Sequence, residues 1–136
     1  MNIMNRTSEV VNRIDSLKLQ MKSEGIDAYI ITGADPHLCE YPPEYWKTRE
    51  WITGFTGSYG KVLLTQEKVM LWTDTRYFLQ VGEELKGTGI ILMKERVPDA
   101  ISMTEWIADH LESGEVVAVD GLTISAGEAI EIKEKL

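Results

Sequence analysis

The sequence predicts an α/β domain whose mixed β-sheet is flanked by helices. Three observations carry this expectation. Stretches with apolar residues at helical spacing alternate with short β-type runs, in the order helix, strand, hairpin, helix, strand, helix, strand, helix. Lys61 to Thr65 and Lys68 to Thr73 are separated only by Gln66-Glu67, so they read as a hairpin, which makes the sheet mixed rather than wholly parallel. The 136 residues, 43% of them apolar, suffice for a single domain with a core, residues 1–136.

In chain order, residues 7 to 24 come first. They place Val10, Val11, Ile14, Leu17 and Met21 on one face of a helix, with Arg13, Asp15, Lys18 and Lys22 between them. Thr7 or Ser8 can cap its start, and Gly25 suits the position past its end. Ala28 to Thr32 is a buried strand. Gly33, Pro36, Pro42 and Pro43 break any regular element over residues 33 to 48. After the hairpin, Asp74 is a good N-cap for a helix whose stripe is Tyr77, Phe78, Val81 and Leu85, ending at Gly87. Ile90 to Met93 is a strand. Ser102 and Glu105 form a capping box before a helix carrying Trp106, Ile107 and Leu111. Glu115 to Val119 is the next strand, and Ser125 with Glu128 opens a last helix containing Ala129, Ile130 and Ile132. The chain stops at Leu136 without a C-cap, which reads as a piece of a longer protein.

Charge narrows the function classes. A net charge of −8 argues against sequence-independent binding to nucleic acid, which depends on Lys and Arg displacing counterions. No apolar run is long enough to span a bilayer, so no membrane partner is expected. Cys39 is the sole cysteine and the N-terminus lacks an apolar signal core, so a reducing cytoplasm is the expected compartment.

Gly54, Gly57 and Gly60 are spaced by three and precede a strand rather than a helix, so they match neither dinucleotide-binding nor P-loop patterns. Their expected role is a tight corner with close backbone approach. Ser58 and Lys61 satisfy Ser-x-x-Lys, but that chemistry needs one helical turn, and a β-type run comes next. Asp35, His37, Cys39 and Glu40 have metal-ligand chemistry, yet the other histidine, His110, lies far along the chain in a predicted helix. The plain alternative is a polar loop that holds its own turn together. The four tryptophans are core material by default, although Trp51 beside Arg49 would also form an apolar, cationic surface for a peptide end. Arg76 is expected to pair with Asp74 or Glu40.

Several stretches occur together in one order: Ile26 to Tyr29; Asp35-Pro36-His37 with Glu40-Tyr41; Arg49 to Ser58; and Leu71 to Gln80. This set resembles the N-terminal domain of long-form Xaa-Pro aminopeptidases (aminopeptidase P) of the creatinase/prolidase superfamily. The match runs from about Arg13 to about Gly121. Tyr59, Thr75 and Cys39 depart from the usual pattern at positions where small residues are common.

The resemblance implies a creatinase N-terminal fold with a ribonuclease H-like layout, the first of three domains. The parent would cleave an N-terminal residue from peptides with proline second. It would use two divalent metals (Mn, Co or Zn) held in a C-terminal pita-bread domain that this chain lacks, through metal-activated water. The chain itself would bind no metal or other cofactor and would be inactive alone. Its expected partners are its own C-terminal catalytic domain, a second copy in a homodimer, and the peptide substrate. His37, Glu40, Tyr41 and Arg49 are the candidates for closing the active site, with Glu40 toward the substrate amine. Gly54, Gly57, Gly60, Asp74 and Arg76 form a structural signature. The alternative is a purely structural dimerisation or interaction module that never contacts substrate.

Overall fold

The computed structural model describes residues 3–32, 47–120 and 126–135. Helix α1 spans Ile3–Glu24 and starts four residues earlier than its apolar periodicity predicts. It buries Val10, Ile14 and Met21 on one face. Gly25, at φ 72°, ends it. There Gly25 N donates to Lys22 O (3.3 Å) and Ile26 N to Met21 O (2.8 Å), a Schellman arrangement that satisfies the last carbonyls.

Strand β1 (Ala28–Ile31) comes next, and then, after residues 33–46, helix α2 (Thr48–Thr53). Six residues give no readable periodicity, so α2 was not expected from the sequence. The hairpin is as predicted: β2 (Lys61–Thr65) pairs antiparallel with β3 (Val69–Thr73). Thr65 closes the turn, its Oγ1 accepting from the backbone N–H groups of Glu67 (3.3 Å) and Lys68 (3.0 Å).

Asp74 is an N-cap as expected, but the element it starts is a 3₁₀ turn, Thr75–Tyr77, which leads into α3 (Phe78–Glu84). Next come β4 (Ile91–Lys94), α4 (Met103–His110), β5 (Val117–Val119) and α5 (Ala126–Lys135). Ser102 caps α4, its side chain accepting from Glu105 N at 3.1 Å. Ser125, the predicted cap of α5, lies outside the described residues. Among the described residues no helix is long and apolar enough to cross a membrane.

The sheet order is β4-β3-β2-β1-β5. β1 runs parallel to β5, and β3 parallel to β4, while β2 is antiparallel to both its neighbours. Four strands therefore point one way and β2 alone the other. Alternation along the strands splits the core in two. Ile31, Val62, Leu64, Val69 and Leu71 pack with Val10, Ile14, Ile52 and Val81 from α1, α2 and α3. Ala28, Ile30, Leu63, Met70 and Trp72 pack with Met103, Trp106 and Ile107 from α4, and Ile132 of α5 rests against them. The β2–β3 pair is buried on both faces, which is why both strands read as continuous apolar runs.

Candidate functional site

In open α/β sheets, ligand and partner sites gather at the carboxyl ends of the parallel strands, because the loops there are free of the helix packing. In this domain the chain leaves the carboxyl end of β1 into residues 33–46 and returns at Lys47. His37, Glu40 and Tyr41, like Asp35 and Cys39, lie outside the described residues. Arg49, the loop of residues 54–60 that precedes β2, and the 3₁₀ turn after β3 all belong to the described part of the same end.

Arg49 is placed differently from a surface cation. Helix α2 buries Arg49, Ile52 and Thr53, the i, i+3, i+4 face, and Arg49 is only 8% exposed. Its guanidinium lies 5.2 Å from the Phe55 ring centre. One terminal nitrogen donates to Gly60 O (3.2 Å) and the other to Gly57 O. Its Nε is buried and has no hydrogen-bond partner among the described residues. Burial pushes the guanidinium pKa below its ordinary value, while Glu50 and Tyr77 nearby act in the opposite sense. Trp51, two residues on, points the other way. It is 54% exposed, and the cation over its ring is Arg13, at 4.7 Å. Arg13 also donates to Trp51 O at 2.8 Å. The pairing of Arg49 with Trp51 on one surface is therefore not what the helix produces, since neighbours two apart on a helix diverge.

The three glycines have separate tasks. Gly54, at φ 78°, is the left-handed C-cap of α2. Gly57 permits close approach: a Cβ there would lie 2.8 Å from Phe55 Cε1 and 2.9 Å from Tyr77 Cδ1. At Gly60 a Cβ would meet Trp72 O at 3.2 Å. Between them, Ser58 Oγ and Tyr77 Oη share a hydrogen bond of 2.6 Å. Tyr77 in turn stands edge-on to Phe55, with centroids 5.6 Å apart. The Ser-x-x-Lys spacing falls on a loop and the first residue of β2, not on a helical turn.

Further side chains lock the same end. Thr73 Oγ1 donates to Tyr59 O (2.6 Å), and Tyr59 Oη donates to Glu95 (2.5 Å). Burial first, and then the Glu95 carboxylate, raise the Tyr59 phenol well above its usual range. Asp74 accepts from Arg76 N (3.1 Å), and Arg76 Nε and Nη2 grip its two oxygens at 3.0 to 3.2 Å. This is the expected Asp74–Arg76 pair. Those hydrogen bonds hold the Asp74 carboxyl below its ordinary pKa, against the opposing effect of its burial. Glu84 binds Thr56 through both the backbone N–H (3.2 Å) and Oγ1 (2.8 Å).

Among the described residues no group of three or more His, Cys, Asp or Glu side chains is arranged to hold a metal. His110 stacks flat on Trp106, centroids 4.2 Å apart, with Nδ1 at 3.0 Å from the Trp106 carbonyl. The described residues therefore do not fit a metal pair. What the site does have is a fixed backbone loop with a hydroxyl pair at its edge. Sequence reasoning missed the Arg49 clamp, the Ser58–Tyr77 pair and the Tyr59–Glu95 bond. None of the three left a local signal, because a buried arginine masks the inner face of α2 and the other two bonds join distant residues.

Residues 13–136 match the model of the creatinase/prolidase N-terminal domain. Aminopeptidase P2 of Arabidopsis thaliana is 46% identical over 110 residues, 81% of this chain and 15% of that protein. Xaa-Pro aminopeptidase 1 of Dictyostelium discoideum is 36% identical over 118 residues, 87% of this chain and 19% of that protein. Among solved structures, the X-prolyl aminopeptidase of Caenorhabditis elegans, described as a cytosolic enzyme with a di-nuclear active site, superposes with a TM-score of 0.79 at 28% identity. It covers all of this chain, which spans 22% of that one. The chain thus spans only 15% to 22% of the length of these three relatives.

Proposed function

The chain belongs to the creatinase/prolidase N-terminal domain family, and from that premise we propose that it is the non-catalytic N-terminal domain of a cytoplasmic Xaa-Pro aminopeptidase. The larger enzyme would hydrolyse the bond between an N-terminal residue and a following proline, with two divalent metals (Mn, Co or Zn) held in its catalytic part. The observation that carries this reading is similarity to aminopeptidase P proteins across most of the chain. The described geometry is of the same kind: Arg49, Ser58 and Thr73 spend their polar groups on shaping loops at one end of the sheet.

In this reading the domain works by position. The carboxyl end of the sheet faces the catalytic part and helps to close its active site. His37, Glu40 and Tyr41 are the candidates for its polar contacts, and Arg49 acts by fixing the loop 54–60. Holding a peptide in register with the reacting groups is worth orders of magnitude in rate. Glu40→Ala and Arg49→Ala in the full-length enzyme are each expected to lower kcat/KM about tenfold or more. Wild-type kcat/KM in both variants would remove the closing role.

One observation favours a second reading, a dimerisation or interaction module. Trp51 is 54% exposed and held in place by Arg13, and rigid Trp–Arg pairs are common interface anchors. In that case Trp51→Ala would shift the sedimentation of the full-length protein from dimer to monomer, and Glu40→Ala would keep wild-type kinetics.

A further inference from the structure

Among the described residues, left-handed backbone occurs outside glycine at Arg96 (φ 59°) and Asp99 (φ 62°), and both lie in the connection from β4 to α4. Such a conformation crowds the Cβ against a carbonyl oxygen. Asp99 is third in a turn closed by Ala100 N donating to Val97 O (3.2 Å), a place where glycine or asparagine is usual. Arg96 is a long side chain in a conformation that seldom holds one. The strain is imposed from both sides. Before the turn, Glu95 N donates to Thr73 O (3.0 Å), and Tyr59 Oη holds the Glu95 carboxylate. After it, Nε1 of the fully buried Trp72 donates to Ile101 O (2.8 Å), and Ser102 caps α4.

The turn so fixed is turned outward. Arg96, Pro98, Asp99 and Ala100 are exposed, and Ile101 is 43% exposed. The guanidinium of Arg96 takes part in no hydrogen bond or ion pair among the described residues, although it stands within electrostatic reach of Asp74 and Tyr59. The turn follows the carboxyl end of β4, at the end of the sheet where Arg76 and Lys94 also lie. Two acids of this edge are already engaged, Asp74 by Arg76 and Glu95 by Tyr59, which leaves Asp99 at the tip of the turn.

We propose that the turn 96–101 is a docking contact for the part of the full-length protein outside residues 1–136, and that Arg96 takes a carboxylate there, with Pro98 and Ile101 as its apolar shoulder. The inference rests on the aminopeptidase reading, in which this end of the sheet faces the catalytic part. A strained backbone held at both ends presents Arg96 in one direction. Holding one direction lowers the ordering cost of a contact with a partner of fixed position. The planar guanidinium fork matches a carboxylate, with two parallel hydrogen bonds.

The test compares backbone amide exchange at residues 96–101 in the full-length protein and in residues 1–136. These amides are expected to exchange about tenfold or more slowly in the full-length protein, because the docked turn is shielded from water. Equal exchange would overturn the proposal. So would protection that appears in residues 1–136 alone as their concentration rises, which would give the turn to a second copy. Arg96→Asn removes the guanidinium and suits left-handed backbone. It is expected to raise the urea midpoint of residues 1–136, since strain is relieved, and to cut the protection in the full-length protein about threefold or more. Arg96→Lys keeps the charge without the fork and should retain more protection than Arg96→Asn. A midpoint of Arg96→Asn at or below the wild-type value would make Arg96 a structural residue of the domain. Protection in Arg96→Lys no better than in Arg96→Asn would remove the carboxylate contact. Either result overturns the proposal. Absence of Xaa-Pro hydrolysis by the full-length protein would instead overturn the aminopeptidase reading, while the exchange comparison would still report on the docked turn.

Discussion

At the carboxyl end of the sheet, side chains take up backbone groups across long sequence separations. Arg49 holds Gly57 and Gly60, Thr73 holds Tyr59, and Tyr59 reaches Glu95. At the amino end, the β2–β3 turn closes on its own Thr65. Beside it opens a cleft of about 310 Å³ bordered by Asp27, Glu67, Lys68, His110 and Glu115. One end is tightly packed with little room for change, and the other is open and polar. Both ends serve the same sheet, so the contrast does not come from what the fold requires. Desolvating Arg49, whose Nε has no hydrogen-bond partner among the described residues, costs stability, and a domain tolerates such a cost where position matters.

Substitutions at the two ends should therefore differ in size. Gly57→Ala is expected to cost most, about 1–3 kcal/mol in urea denaturation, as an overpacked site. The new methyl would press on Phe55, which is fully buried, and on Tyr77. A cost near zero would show that the loop can relax and that the carboxyl end is less rigid than its contacts imply.

Asp74→Asn is expected to have a smaller effect, and one that depends on pH. Asn still caps the 3₁₀ turn but loses the ion pair with Arg76, which is half exposed and partly screened. Because the folded Asp74 carboxyl titrates below its unfolded value, its contribution is complete above about pH 4. That contribution is lost as the pH falls through the lowered folded value. The wild-type midpoint should therefore drop more steeply below pH 4 than that of Asp74→Asn, and the two curves should converge in acid. Parallel curves would remove the Arg76 pairing from the stability of this end.

Gln66→Ala should have the least effect, within about 0.5 kcal/mol, as expected for an exposed surface position. Gln66 Nε2 donates to Lys18 O at 2.9 Å, but both groups can turn to water. A loss as large as that at Gly57 would erase the contrast between the ends.

The amino end and the sheet core were largely legible from the sequence, because their signals are local. Thr65, Gln66 and Glu67 make their turn among themselves, and Val62 to Leu64 and Val69 to Trp72 read as strands because both faces are buried. The Asp74–Arg76 pair and the Ser102 cap were equally local. Helix α2 was not legible. It is one and a half turns long, and a buried arginine stands where an apolar residue would have marked its inner face. The bonds from Ser58 to Tyr77 and from Tyr59 to Glu95 join residues 19 and 36 positions apart, which no spacing rule reaches. His37, Glu40 and Tyr41 were singled out on residue type alone, and they lie outside the described residues.

The central claim is that this domain contributes position and not chemistry. It is tested most directly by the initial rate of hydrolysis of a peptide with proline second, in the presence of manganese, for residues 1–136 and for the full-length protein at equal molar concentration. Turnover is expected from the full-length protein, and a rate indistinguishable from buffer from residues 1–136. Metal-dependent turnover by the purified 136-residue chain, persisting after controls for contaminating protease, would contradict it.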